Sequence, residues 1–440
     1  MKCLLILLIL INFMNYIDRG VLSSYNINMI EQFNITNTQA GLISSSFMIG
    51  YLIFSPIFSY LIYKFNRIIL IFIGLMVWCI STFLSGFANT YLTMIFSRLF
   101  VGVGEAAFSA ISPPIIDSVA PKNYNSRWFS LYYLTIPVGF ALGFIFGGII
   151  QTYIDWHYGF IIESGIMFML SIALLYYKNI DKKLKTIKKL LEEPYNSIEF
   201  NIFDMYKNEK ISSITFCKKC KTIFCNKIFI FSLLVYIFYT FVIGCYSFWG
   251  PAFIIQNYNI TELTSDTIFG GITISTGLIG TFIGGLLLDL NKNKYGRLLT
   301  ASFILLIALL VGTSFFISMF CFKNLIGFII LLTIGQLLMF SITGPINSLF
   351  IWTVENKDYY DSLNNQLKSL ACAISTMFIH LFGDVPSPIL TGFIYDHLQN
   401  LNLTMLIITS ILGLSIIFSI INFFIIKKEI KINKEPLLEI

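Results

Sequence analysis

Twelve long apolar runs, parted by short polar breaks, take up almost the whole of this chain. They fall near residues 3–30, 39–63, 68–88, 92–117, 127–152, 159–177, 227–256, 267–289, 298–320, 325–352, 365–394 and 401–426. Each is near or above the roughly 20 residues a helix needs to cross the hydrocarbon core of a bilayer. In lipid every backbone N–H and C=O must be satisfied without water, and a helix does this within a single segment. The pattern predicts an all-α membrane protein with twelve transmembrane helices. Composition agrees, since 12% of residues are charged where soluble domains carry about 25%.

The first run has Lys2 ahead of a Leu- and Ile-rich stretch, as a signal peptide would. It is too long for one, lacks a small-residue cleavage site and carries Asp18–Arg19, so a retained helix is expected. Basic residues then set the orientation. Lys64 and Arg67, Lys122 and Arg127, Lys292, Lys294 and Arg297, and Lys357 and Lys368 all fall on one side of a twelve-span chain. Twelve lysines between 178 and 227 and the tail lysines 427, 428, 431 and 434 fall there too. The opposite breaks hold Asp155, Glu262, Asp266 and Asp396, with Lys323 as the exception. Both termini are therefore expected in the cytosol. The net charge of +6 is a mark of topology and implies no nucleic-acid partner. Three sequons, at Asn34, Asn259 and Asn402, lie on the non-cytosolic face, where chance is a rival explanation.

Residues 178–226 form the one long hydrophilic stretch. The expected organisation is a six-helix half over 1–178, a cytosolic loop over 179–226, a second half over 227–426 and a cytosolic tail over 427–440. Lys182 to Glu193 reads as a basic amphipathic segment against the anionic inner leaflet. Cys217, Cys220 and Cys225 have metal-like spacing, but flanking lysines and the lack of a fourth ligand nearby favour reduced thiols, with palmitoylation next. No metal or cofactor is expected. No soluble catalytic domain fits in the chain, and no phosphate-binding loop points to ATP, so the expectation is a non-enzyme. Gly102-x-Gly104-x-x-Ala107 imitates a dinucleotide loop, but no strand precedes it.

Charges inside the spans carry the functional signal. Asp18 and Arg19 lie in the first, Arg98 and Glu105 in the fourth. An ionisable group in hydrocarbon costs roughly 2.5–3.5 kcal/mol, and four such costs rival the whole stability of a domain, about 5–15 kcal/mol. Seven residues apart, Arg98 and Glu105 share a helix face. The bland reading is an ion pair stapling two helices; the functional one is passage of a proton or polar substrate. His380, in span eleven, has Asp384 four residues on, with Pro386 and Pro388 predicting a bend. An inert core histidine and a phosphate-binding or relay group are both open.

Other positions point to gating or packing. Gly285-x-x-x-Asp289 and Gly392-x-x-x-Asp396 close spans eight and eleven, while the stretch after span two keeps Lys64 and Arg67 but has Ser59 and Tyr63 for the Gly and Asp. Gly139, Gly143 and Gly147 follow Pro137 on one face of span five, suited to close packing or a kink. Trp249 and Phe248 more naturally pack than bind substrate.

Two sets of six spans about a cytosolic loop are the pattern of the major facilitator superfamily, whose halves flank a central site. Within it, several stretches resemble the Spinster family. These are Asn15-Tyr16-Ile17-Asp18-Arg19 with Gln39-Ala-Gly41-Leu, Ser97-Arg98 to Ala107, Ile136-Pro137 to Gly143, Ser265-Asp266 to Gly277, and His380-Leu-Phe-Gly383-Asp384-Val-Pro386-Ser387-Pro388. The match runs from helix one to helix eleven. It implies a monomeric secondary transporter of an amphiphilic lipid, a lysophospholipid or sphingosine phosphate, coupled to protons. The membrane implied is lysosome-like, vacuolar or plasma. Helices one and four of this fold line the central cavity, so the four charges are expected to meet there. Asp18 and Glu105 would carry the proton, with Arg19 and Arg98 as partners, and Asn15, Tyr16, His380 and Asp384 would bind substrate or relay protons. Lys368 stands where an arginine is usual. Alternatives are a small-solute symporter or drug/proton antiporter and a non-transporting receptor on the same fold.

Overall fold

The computed structural model describes residues 2–62, 64–120, 125–179, 216–355 and 361–432, and among these it is helical, with no strand. The basic segment over 182–193 lies outside the described residues. In chain order the helices are α1 (Lys2–Ser24), α2 (Asn26–Phe33), α3 (Asn37–Leu61), α4 (Arg67–Ser85), α5 (Tyr91–Val119), α6 (Asn125–Tyr153) and α7 (Trp156–Leu175). There follow α8 (Phe216–Cys225), α9 (Lys227–Tyr258), α10 (Glu262–Tyr295), α11 (Arg297–Ser318), α12 (Leu325–Ser341), α13 (Thr343–Trp352) and α14 (Asp361–Ile379). The last are α15 (Pro386–Leu398), α16 (Leu401–Ser410) and α17 (Leu412–Ile432). Together they provide 12 segments long and apolar enough to cross a membrane.

Local chemistry sets the boundaries. Thr36 opens α3 through a reciprocal capping box with Gln39, Asn66 caps α4, and Asp155 caps α7; each satisfies N–H groups that the first turn leaves without a partner. Gly296, at φ +87, lets α10 turn into α11 within a single residue. Four expected spans are interrupted, the tenth at Ile342 and the twelfth at Ile411 by a single turn residue each, and the first and eleventh more deeply. The first stops at Tyr25, whose buried ring packs on Trp156 and Phe160, with centroids 5.8 and 5.5 Å away. The eleventh widens into a π turn at His380–Asp384. Pro386 and Pro388 lack the N–H groups that would bond one turn back, and Val385 N–H donates instead to the His380 carbonyl.

The described residues form two compact units that cut across the sequence halves. The first joins 1–188 with 241–278 and 380–408. Its apolar core gathers side chains such as Leu8, Ile11, Phe47, Ile71, Trp78, Phe108 and Met167. Backbones come very close here. A Cβ on Gly102 would fall on the Phe47 carbonyl of α3, and Gly139, Gly143 and Gly147 of α6 sit against Tyr16, Ile17, Gly20 and Ser24 of α1. At one end of this unit α15 lies on the start of α3. Asp396 accepts from the N–H and side-chain amide of Asn37 on one oxygen (3.0 and 2.8 Å) and from the N–H and hydroxyl of Thr38 on the other (2.8 and 2.6 Å). The Ser45 hydroxyl donates to the Val385 carbonyl at 2.6 Å.

The second unit joins 189–240, 279–379 and 409–440. Asn422 donates to Ser232 and Ser415 to the Val235 carbonyl, tying α17 to α9. Glu355 is held between Lys368 (2.7 Å) and Arg297 (2.5 Å). An apolar cleft of about 570 Å³, walled by Ile283, Leu287, Phe303, Ile307, Leu338 and Phe423, has no charged side chain in its lining. Among the described residues, the buried charged side chains are in the first unit.

Candidate functional site

Asp18 and Arg19 are consecutive on α1, so their side chains leave the helix about 100° apart at 3.6 residues per turn. On α5, Arg98 and Glu105 point the same way but stand roughly 10 Å apart along the axis, at 1.5 Å per residue. The four charges resolve into two crossed ion pairs in place of a single cluster. Arg98 grips both oxygens of Asp18 in a fork, at 2.9 and 2.5 Å, and both side chains are fully buried. Arg19 reaches one oxygen of Glu105 at 2.6 Å, and its side chain keeps 14% exposure. The planar guanidinium suits both tasks, since it stays charged and bonds a carboxylate bidentately.

Phe47 of α3 stands between the pairs, its ring centroid 4.7 Å from the Arg19 guanidinium carbon and 5.9 Å from that of Arg98. Arg19 also covers Tyr16, and Arg98 lies over Phe160. These ring faces offset part of the cost of holding two cations away from water. Two surroundings result. The Asp18–Arg98 pair is sealed among α1, α3, α5 and α7. The Arg19–Glu105 pair has free valences, because Glu105 Oε2 and Arg19 Nε take no partner among the described residues.

The more open pair leads toward His380. Tyr51 of α3 meets Ser109 of α5 through its hydroxyl and packs its ring edge-on against the His380 imidazole at 6.0 Å. His380 Nδ1 lies 2.5 Å from Asp384 Oδ2, with both side chains about a fifth exposed. Asn15 is wholly buried, one turn before Asp18, and neither end of its amide has a partner among the described residues.

Other sequence candidates lie apart from this group. Pro137 is inside α6, and Gly139 serves the contact with Tyr16. Asp289 binds Lys292 on its own helix at 2.6 Å and is largely exposed, while among the described residues nothing beyond its own helix stands within 4 Å of a Cβ on Gly285. Lys64 lies over the Tyr60 ring, and Arg67 opens α4. The cysteines at 217, 220 and 225 are free thiols. Asp266, expected in a break, is inside α10 and buried, where Gln151 donates to it at 3.1 Å.

Sequence reasoning passed over three site residues. Phe47 and Tyr51 are aromatic residues in an aromatic-rich chain and carry no separate mark. Glu163 of α7 does carry one: it is a carboxylate inside an apolar run, the signal that singled out Asp18. It is fully buried and neighbours Asp18 and Arg98, the charges that act on it.

Comparison with known proteins adds to this geometry. A family model described as Major Facilitator Superfamily matches residues 8–376. A protein of Arabidopsis thaliana named a probable sphingolipid transporter, spinster homolog 1, is 37% identical over 93% of this chain and 86% of its own length. The sphingosine-1-phosphate transporter SPNS2 of Danio rerio is 27% identical over 88% of this chain and 75% of its own. A crystal structure of a bacterial homolog to the human lysosomal transporter Spinster, inward-facing and unoccupied, superposes with a TM-score of 0.77 over 96% of both chains. At 15% identity that likeness speaks for the fold alone.

Proposed function

The chain belongs to the Spinster family of the major facilitator superfamily, and on that premise we propose that it is a secondary transporter of a single-chain phospho- or sphingolipid, driven by protons through alternating access. The observation that carries this reading is the pair of crossed ion pairs, one sealed and one partly open. A phosphate headgroup needs a cation that can leave its resident carboxylate, and Arg19 has both the exposure and the spare N–H groups to do so. Glu105 then takes the proton that Arg19 no longer balances, which couples substrate binding to protonation. Asn15, Tyr16, Tyr51 and the His380–Asp384 pair flank this route. The named activities of the relatives support a lipid cargo, and the placement of the basic breaks supports cytosolic termini.

The test uses purified full-length protein in liposomes with labelled lysophosphatidylcholine and sphingosine phosphate. Uptake should rise with an inward proton gradient, and Glu105→Gln should remove that dependence. Uptake of neither lipid, or uptake indifferent to pH, would overturn the reading.

A further inference from the structure

The sealed pair has a third member. No donor of the described chain is directed at either carboxyl oxygen of Glu163. Its carboxyl neighbours that of Asp18. Both oxygens of Asp18 are already taken by Arg98. The charges acting on Glu163 are Asp18 from α1 and Arg98 from α5. The phenol of Tyr25, the residue after α1, packs against α7 one turn away, at Gly159. Cys79 of α4 lies two turns along α7, beside Ser171. The described side chains of α6 carry no charge.

Two ionised carboxylates have only acceptors to offer each other, so contact between two carboxyl groups requires a proton on one of them. One guanidinium balances one negative charge, and a second in this sealed interior is left without compensation. We propose that Asp18 and Glu163 form a proton-binding site in which Glu163 holds the proton while Asp18 is paired with Arg98. Arg98 Nε has no partner among the described residues and is a donor in reserve. When α1 draws Asp18 away, the O–H bond of Glu163 breaks and one forms on Asp18. Glu163, now a carboxylate, takes over Arg98. One proton, two carboxyl groups and one guanidinium are conserved, and Arg98 has an anionic partner throughout. Asp18 then gives the proton to water on the side to which it has moved.

This deepens the proton-driven reading and rests on it, but its first readout does not. Infrared spectra of the purified protein in lipid nanodiscs at neutral pH should show a protonated-carboxyl C=O stretch. One component of that band should persist in Glu105→Gln and in Asp266→Asn and vanish in Glu163→Gln, which keeps a donor at the same place. It should also vanish in Asp18→Asn, where Glu163 ionises to serve Arg98, and that variant carries the test should Glu163→Gln fail to fold. The proton gradient should stop accelerating uptake in Glu163→Gln. Absence of that component from the unsubstituted protein, its survival in Glu163→Gln, or unchanged pH dependence of uptake in that variant would overturn the site. A band that behaves as expected in a protein whose uptake ignores pH would leave the site standing and refute the coupling.

Discussion

Asp396 holds the first turn of α3 by four hydrogen bonds, two to each oxygen, and Asp396→Asn tests what that contact contributes. The amide keeps the shape but turns one oxygen into a donor, which then faces two donors. Bonds to a charged group contribute about 1.5–3 kcal/mol each. The loss of charge at a helix N-terminus adds about 0.3–1 kcal/mol. Asp396 is half-buried, so solvent takes back part of this, and a net loss of roughly 2–4 kcal/mol is expected. At about 1.4 kcal/mol per factor of ten, separation of α15 from α3 becomes on the order of 30- to 1,000-fold more frequent. Ser45, bonded to the Val385 carbonyl and nearly sealed at 1% exposure, reports that separation. With the native exposed thiols replaced, Ser45→Cys should react with a membrane-impermeant maleimide at a rate that rises by the same factor in Asp396→Asn. A folded double variant labelled at the rate of Ser45→Cys alone would refute the reasoning. It would mean that the close backbone contacts of Gly41 with Pro388 and of Gly392 with Asn37 hold the helices without the carboxylate.

Other perturbations have equally definite outcomes. Phe47→Leu removes the ring shared by the two guanidinium groups and should cost about 1–3 kcal/mol from lost packing and cation–π contact, read as a lower thermal midpoint. Gly102→Ala drives a Cβ into the Phe47 carbonyl and should separate α5 from α3, lowering the midpoint by a similar overpacking cost of about 1–3 kcal/mol. Glu355 lies outside the spans, and the hydrogen bond from Lys368 holds its carboxyl below its ordinary value against partial burial, with Arg297 assisting. Because the folded value is depressed, the stability it supplies is complete above the ordinary carboxylate value near pH 4.3 and is lost as pH falls through the folded one. The gap in thermal midpoint between the unsubstituted protein and Glu355→Gln should thus be constant from pH 8 to pH 5 and close in stronger acid.

The twelve spans were legible because hydrocarbon imposes one requirement on every segment, a run of apolar residues of the right length, and that requirement is local. The breaks inside them were less so. The prolines at 386 and 388 announced a disturbance without saying that it would be a π turn at His380–Asp384. Nothing in the sequence around Tyr25 marks the end of α1, because its cause is a ring seated on α7, more than 130 residues away. The site followed the same rule. Asp18, Arg19, Arg98 and Glu105 stood out as charges in apolar surroundings, yet which carboxylate takes which arginine depends on where α1 meets α5. Glu163 bore the same mark and was passed over, since α7 offers it no basic residue at helical spacing. Its partners come from two other helices.

The crossed pairs also bear on how such a chain can change over generations. Exchanging the neighbours Asp18 and Arg19 would set an arginine against Arg98 and a carboxylate against Glu105, so both contacts would fail together. Repair would require the opposite exchange at 98 and 105 as well. Each intermediate leaves a buried charge unpaired at about 3–5 kcal/mol, a large share of a typical stability of about 5–15 kcal/mol. A descendant altered at one member of a pair should therefore be found altered at its partner as well, 18 with 98 and 19 with 105.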